Sequence, residues 1–198
     1  MSLRVSYTFI APFYDFVIKR ALAGARANSL APLKTMTMGE VLLDGIGTGL
    51  DLPYLPQQHH YCGLDITHAM LRRCQNRLGD KQVYLVEADS MRLPFPDHSF
   101  DAVVLHLITA VVPRPLACLK EAARVLKRGG KIYMVDKFLR PAQWAPMRRL
   151  LSPLLGKLAT RLDVVLEDLL MEITDLKVES DQPALAGGWF RQIRLYKV

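Results

Sequence analysis

The chain has 198 residues, 51% of them hydrophobic, and a formal net charge of +7, which is typical of one globular domain with a sizeable core. Its three cysteines, Cys62, Cys74 and Cys118, are scattered and form no Cys-x-x-Cys pair, so neither a disulfide framework nor a metal site is indicated. No basic leader with a long apolar core is expected at the N-terminus, and the longest uncharged hydrophobic stretch, 102–113, is too short to span a bilayer.

The pattern of apolar residues predicts strands and helices in alternation. A helical region extends to about Leu33 and is expected to form a cap over residues 1–39. Apolar runs bounded by turn residues then predict five strands, at 40–46, 61–66, 82–89, 100–108 and 131–138. This alternation predicts a doubly wound parallel sheet with helices on both faces.

Two of the helices between these strands are clearly marked. One is predicted at 67–78, with Thr67 as its N-cap. The other is predicted at 115–127 and is expected to stop at Gly129 and Gly130, because glycine commonly ends a helix.

The end of the chain departs from the alternation. Residues 172–179 and 189–198 are predicted to be two strands, joined through residues 181–183 and 187–188. The fold class is therefore α/β, with a mostly parallel, doubly wound, seven-stranded sheet that a C-terminal antiparallel hairpin closes. We expect a single domain over 1–198.

The most informative motif is the glycine-rich run at 45–49, Gly-Ile-Gly-Thr-Gly, which directly follows an apolar strand. Glycines let the backbone turn and approach a ligand without a Cβ in the way. Dinucleotide sites use G-x-G-x-x-G, but the sixth position here is Leu50, so the spacing suits adenosine without a pyrophosphate. Asp65 ends the next strand, where a carboxylate can accept both hydroxyls of a ribose.

Ligands of such sheets lie at the carboxyl ends of the central strands, so residues at those ends are candidate contacts. Asp89 and Ser90 follow the third strand, where a carboxylate can accept from an adenine amine; the alternative for Asp89 is to stabilise a turn. Ile66 and Met70 can contact the base. His106 ends the fourth strand and is either a hydrogen-bonded structural histidine or a catalytic group.

Longer motifs point to a known family. The runs DGIGTG, GLD, EADSMRLPFPDHSFDAVV and LKEAARVLKRGGKIYMV resemble the class I S-adenosylmethionine-dependent methyltransferases, over residues 40–138. More narrowly, IAPFYD, GIGTGLDLPYLP, TAVVPRP and a late basic segment are similar to small bacterial phosphatidylethanolamine N-methyltransferases. The resemblance implies a Rossmann-like methyltransferase fold and S-adenosyl-L-methionine as the cofactor.

The resemblance also assigns residues to parts of that cofactor. The glycine loop, with Gly45, Gly47, Thr48 and Gly49, would hold the adenosine and methionine parts. Asp65 would hold the ribose. The acid after the third strand, Asp89, would face adenine.

One position departs from the family pattern. The acidic residue that the family has near the end of the first strand falls at Leu43, and Asp44 stands in a normally apolar position. Neighbouring strand residues point to opposite faces, so Asp44 cannot simply take over the role. Either the strand end is irregular, or another group such as Asp51 meets the methionine ammonium.

Methyl transfer to an amine needs a neutral, desolvated and aligned acceptor more than a nucleophilic side chain. Tyr14, Asp15 and His106 are the candidates to accept or orient the acceptor's proton. Tyr14 and Asp15 belong to the IAPFYD motif, and their alternative is a helix that packs on the sheet.

Residues 137–162 hold six basic and no acidic side chains, within a predicted insertion at 137–170. Seven apolar residues there recur at spacings of three and four, and Trp144 lies near the start. This basic amphipathic pattern favours binding to an anionic membrane surface. Alternatively, the leucines pack on the sheet and the arginines face solvent; Pro146, Pro153 and Gly156 interrupt any helix here.

The leading hypothesis is a peripheral methyltransferase that takes a lipid-headgroup amine, in the cytoplasm and at the inner face of the membrane. A methyltransferase for a soluble small molecule or a quinone precursor is the alternative. Nucleic acid is a less favoured partner, because the cations are not interleaved with aromatic residues. A non-catalytic cofactor-binding protein is the last option. The oligomeric state does not follow from the sequence.

Overall fold

The structure is a computed structural model that describes residues 22–141 and 163–198. Tyr14 and Asp15 lie outside the described residues, as does most of the predicted amphipathic segment, including Trp144. The positions of these residues therefore stay predictions.

One twisted sheet organises the described part of the chain, with seven strands in the order β3-β2-β1-β4-β5-β7-β6. Strands β1 to β5 pair in parallel, whereas β7 runs antiparallel to both of its neighbours. The predicted fold class is confirmed. The strands are β1 (Glu40–Asp44), β2 (His60–Asp65), β3 (Val83–Glu87), β4 (Phe100–His106), β5 (Leu126–Lys137), β6 (Leu176–Leu185) and β7 (Phe190–Lys197).

The helices in the described ranges are short. They are α1 (Ala23–Leu30), α2 (His68–Gln75), α3 (Pro115–Val125) and α4 (Leu166–Met171), with single 3₁₀ turns at Ala31–Lys34, Leu52–Tyr54 and Ala186–Gly188. Thr67 stands at the N-cap of α2 as predicted, although its side chain makes no capping hydrogen bond. Of the helices at 22–141 and 163–198, none has the length and apolar character needed to cross a bilayer.

The core lies on both faces of the sheet, because successive strand residues point to opposite sides. Val41 and Leu43 of β1 pack in one cluster with residues of α1 and α2, among them Leu30 and Leu71. Leu42, between them, packs in the other cluster with residues of α3 and α4. The result is a helix–sheet–helix sandwich whose strand ends are free to build a site.

Several predicted boundaries are wrong by a few residues at the strand ends. Strand β1 stops at Asp44 because Gly45 has φ +73°, and β4 stops at His106 because Leu107 has φ +61°. The helix predicted at 115–127 ends at Val125, since Leu126 is already extended and opens β5. Gly129 and Gly130 are therefore strand residues and not a helix stop.

The C-terminal hairpin is confirmed, but its turn is shorter than predicted. Strand β6 runs to Leu185 and so contains residues 181–183, which the sequence pattern had placed in the connection. Pro183 is tolerated there because β6 is the edge strand of the sheet, and the register of β6 with β7 shifts between Pro183 and Leu185. Only Ala186–Gly188 make the turn.

Arg191 of β7 anchors the chain beyond the end of β5. It is 2% exposed, and its guanidinium donates to the carboxylates of Asp181 and Glu167, each at 2.6 Å. It also donates to the carbonyl of Leu139 at 3.2 Å. Leu139 in turn donates its N–H to the carbonyl of Val164 at 2.8 Å. The two ends of the predicted insertion therefore meet at the carboxyl end of β5.

We predict that Arg191→Ala lowers the free energy of unfolding by about 3 kcal/mol, because it leaves two carboxylates without their shared cation. Urea denaturation measures the change. Arg128→Ala removes an exposed arginine and is the matched control, expected to change stability by less than about 0.5 kcal/mol. Equal stability of the two variants would show that Arg191 does not hold this region together.

Candidate active site

The glycine-rich turn after β1 adopts a conformation that favours glycine. Gly47 and Gly49 have φ of +56° and +81°. A Cβ on Gly49 would lie 2.6 Å from Leu52 Cδ1, so this glycine is also needed for packing. A Cβ on Gly47 would meet nothing closer than the carbonyl oxygen of Gly45, at 3.9 Å. The backbone at Gly47 therefore presents an open surface that a ligand can approach.

Asp65 at the end of β2 is tied to this turn. Its Oδ2 accepts the N–H of Gly47 at 3.0 Å, and its Oδ1 accepts the N–H of Thr67 at 2.8 Å. Burial raises the pKa of Asp65, although both of these hydrogen bonds oppose the shift. An ionised carboxylate has about four acceptor positions, so Asp65 can still accept hydroxyl groups from a ligand.

A cleft opens between this turn, the end of β4 and helix α1. The structure brings seven of the predicted site residues together in its lining, from the glycine turn, the end of β2, helix α2 and the end of β4. They are Gly45, Gly47, Thr48, Asp65, Ile66, Met70 and His106.

The other predicted cofactor contacts lie beside the cleft. Gly49 and Asp51 support its floor, and Asp51 contacts lining residues directly. Asp89 is half-buried, and its Oδ1 accepts the N–H of Met91 at 2.8 Å, the hydrogen bond of a turn-stabilising acid. Ser90 is buried, and its hydroxyl donates to Asp44. The roles of Asp89 and Ser90 toward adenine stay predictions.

Asp44 is a buried acid on the face opposite Leu43, as the strand periodicity predicts. Strand β1 pairs with β2 and β4 without a shift in register, so the strand end is regular. Asp44 is 2% exposed; its Oδ1 accepts from Ser90 at 2.5 Å, and its Oδ2 has no hydrogen-bond partner among the described residues. Burial raises its pKa to about 7, against the Ser90 hydrogen bond and with the help of the negative charge of Asp65. The role of Asp51 toward the methionine ammonium stays a prediction.

Asp51 is the centre of a buried polar chain. Its Oδ1 accepts from Arg26 Nη1 at 2.7 Å and lies 2.8 Å from His106 Nδ1. His106 Nε2 lies 3.0 Å from the hydroxyl of Ser29. Burial alone would raise the pKa of Asp51, but the charges of Arg26 and His106 and their hydrogen bonds hold it well below its usual range.

Because Asp51 is ionised, it determines which ring nitrogen of His106 must carry a proton. A carboxylate only accepts, so Nδ1 carries the proton that points to Asp51, while Nε2 shares a hydrogen bond with the hydroxyl of Ser29. Both ring nitrogens are engaged. His106 is therefore a fully buried, hydrogen-bonded histidine, and it can take a proton from an acceptor only if Ser29 turns away.

Three polar contacts of the site were not predicted. Arg26 and Ser29 lie three residues apart on α1, which presents both to the same side, but this spacing alone is a weak signal. Arg77 donates from Nη1 to the carbonyl and the hydroxyl of Thr48, at 2.9 and 2.6 Å, and so fixes the glycine turn from outside. No motif in the sequence marks it.

The wall of the cleft on the β4 side is apolar. Leu107, Ile108 and Val111 line it directly after His106. Leu107 has a left-handed backbone, which costs a branched side chain about 1 kcal/mol, and it packs against Leu22 and Val135. These residues form an apolar wall of the cleft beside the end of β4.

Comparison with known proteins identifies the family. A model of the methyltransferase domain matches residues 42–134. The phosphatidylethanolamine N-methyltransferase of Cereibacter sphaeroides is 30% identical over 93% of this chain and 92% of its own length. The chain belongs to the class I S-adenosylmethionine-dependent methyltransferases.

Other relatives of this methyltransferase differ in their acceptors. The ubiquinone/menaquinone biosynthesis C-methyltransferase UbiE of Coxiella burnetii is 30% identical over 80% of this chain and 75% of its own. The fold also matches a Thermotoga maritima structure described as an S-adenosylmethionine-dependent methyltransferase and possible histamine N-methyltransferase. That match has a TM-score of 0.73, 19% identity and full coverage of both chains.

The residues of the methyltransferase cleft fit S-adenosylmethionine. Gly47 leaves the space that a Cβ would fill, and Asp65 has acceptor capacity for ribose hydroxyls beside it. Met70 and Ile66 offer apolar contact for the base.

We predict that Asp65→Ala weakens binding of S-adenosylhomocysteine by a few kcal/mol, because buried hydroxyls lose a charged acceptor. Isothermal titration calorimetry measures the affinity. Glu87→Gln, which alters the exposed acid paired in register with Asp65, is the control and should leave the affinity within about twofold. An unchanged affinity for Asp65→Ala would mean that the ribose lies elsewhere.

Because Asp44 is buried, we predict that replacing it with asparagine stabilises the protein more at high pH than at low pH. Its pKa is higher in the folded chain than in the unfolded one, so the native state loses stability as the pH rises from about 4 toward 7. Asp44→Asn removes this loss. Its stability relative to the native sequence should rise by roughly 2 to 3 kcal/mol between pH 5 and pH 8, measured by urea denaturation.

Asp80→Asn, at an exposed aspartate, is the control for that experiment. It should show no change with pH. A stability difference for Asp44→Asn that is the same at pH 5 and pH 8 would contradict the assignment.

Proposed function

We propose that this methyltransferase N-methylates the headgroup amine of a phospholipid of the phosphatidylethanolamine type, at an anionic membrane surface. The observation that carries the proposal is the likeness to the Cereibacter phosphatidylethanolamine N-methyltransferase along nearly the whole of both chains. That likeness includes the regions outside the cofactor motifs, where acceptor specificity resides in a fold shared by many methyltransferases.

The distribution of charge supports this acceptor. Six basic and no acidic residues lie within 137–162. Leu139, near the start of that stretch, donates its N–H to the carbonyl of Val164, just after its end, beside the end of β5. The same edge of the sheet carries the cleft, and Trp189, 41% exposed, lies there before β7. Each cation at an anionic bilayer contributes about 1 kcal/mol, which is enough in sum for reversible attachment.

Methyl transfer mainly requires the chain to position the methyl donor and the acceptor amine. When bound, S-adenosylmethionine supplies a methyl group on a positively charged sulfur. The glycine turn and Asp65 would hold the nucleoside, and the wall of Leu107, Ile108 and Val111 would exclude water from the acceptor amine. Exclusion of water lowers the pKa of an ammonium group and so favours the neutral nucleophile. Alignment of this kind contributes about 7 to 11 kcal/mol in favourable cases.

The proton of the acceptor has three candidate receivers in this proposal. His106 borders the cleft and is oriented by Asp51, but its Nε2 is engaged by Ser29. Tyr14 and Asp15 are the other candidates. A neutral amine needs no base before transfer, so the proton can also leave the product afterwards.

A second function has support of its own. The Coxiella relative is a C-methyltransferase of quinone biosynthesis, at the same identity but lower coverage. A soluble small molecule or quinone precursor is therefore the alternative acceptor, and the basic segment would then cover the site instead of binding a membrane.

A direct experiment offers the enzyme radiolabelled S-adenosylmethionine with vesicles and, separately, with lipid-free soluble extract. We predict label in monomethylated and further methylated phosphatidylethanolamine, and co-flotation with vesicles that contain phosphatidylglycerol but not with purely zwitterionic ones. High salt should reduce the flotation, because screening weakens surface attraction.

Vesicles of phosphatidylcholine, whose headgroup nitrogen is already fully methylated, are the matched control for the acceptor. Label confined to the soluble extract or to a demethylated quinone would refute lipid methylation and favour the alternative.

A further inference from the structure

Arg26 is a buried cation with an unused donor. It lies on α1, ahead of residues 42–134 that the family model matches, and it lines the cleft although it is only 6% exposed. Its Nη1 donates to Asp51, but its Nε has no hydrogen-bond partner among the residues that the structure describes. A buried N–H without an acceptor is unfavourable, so a ligand that supplies an acceptor at Nε gains affinity.

The order of the strands shows which ligand group would reach Arg26. Along the carboxyl edge, Asp89 follows β3, Asp65 ends β2, the glycine turn follows β1, and His106 ends β4. A nucleoside held at Asp65 and β3 would extend its remaining part over the glycine turn toward β4. For S-adenosylmethionine, that part is an amino acid with one carboxylate and one ammonium.

The charges on the β4 side complement such a zwitterion. Arg26 is the permanently charged cation in the described lining of the cleft, and Asp51, its partner, is buried beside it at 2.7 Å. Their contact uses one nitrogen of the guanidinium and leaves the Nε edge, which suits a second carboxylate. We propose that Arg26 binds the carboxylate of the cofactor's amino-acid group while Asp51 faces its ammonium.

The test compares three nucleosides by calorimetry: S-adenosylhomocysteine, its decarboxylated analogue that keeps the amine, and methylthioadenosine, which lacks the whole amino acid. Arg26→Gln should weaken S-adenosylhomocysteine by about 10- to 100-fold, the usual effect of losing a charge-assisted hydrogen bond. It should change the other two affinities by less than about threefold. Arg26→Lys, which keeps the charge but loses the Nε edge, should restore binding in part.

Arg72→Gln, on the exposed side of α2, is the control and should leave all three affinities unchanged. Unchanged methylthioadenosine binding also shows that the Arg26 variant is folded. An equal loss for all three nucleosides would overturn the proposal in favour of a structural role, and no loss for any of them would overturn it too. Because the test involves no acceptor, failure of lipid methylation would leave it standing.

Discussion

The hydrogen bond from the N–H of Gly47 to the carboxylate of Asp65 sets the geometry of the site. It joins the turn after β1 to the end of β2, two neighbouring parallel strands, and it forms because Gly47 has a positive φ. Thr67 holds the other oxygen of Asp65. The carboxylate is therefore oriented before any ligand arrives, and the backbone beside it stays bare. Such preorganisation is what a binding site for a nucleoside needs.

Helix α1 borders the cleft on the side opposite Asp65 and contributes the charged side chain of Arg26. Arg26 and Ser29 form a continuous polar chain with Asp51 and His106, buried between the helix and the sheet. A chain of this kind keeps the helix in one position, since each member would be costly to bury alone. The site thus combines strand ends, where the nucleoside is predicted to bind, with charged and polar residues of a helix outside the family motifs.

The sequence predicts the features of the site that depend on residues close to one another along the chain. Apolar periodicity and glycine spacing lead to the sheet, the turn and the placement of Asp65, and strand parity correctly sets Asp44 apart from Leu43. The pairing of Arg26 with Asp51, and that of Arg191 with Glu167, join residues 25 and 24 positions apart that share no motif. Contacts between distant side chains depend on packing, which a single sequence does not display.

A crystal structure of the protein with S-adenosylhomocysteine tests the central claim most directly. The account predicts both ribose hydroxyls within hydrogen-bonding distance of the Asp65 carboxylate, with the nucleoside lying against Gly47. A nucleoside bound elsewhere, or a cleft that side chains close in the complex, would contradict it.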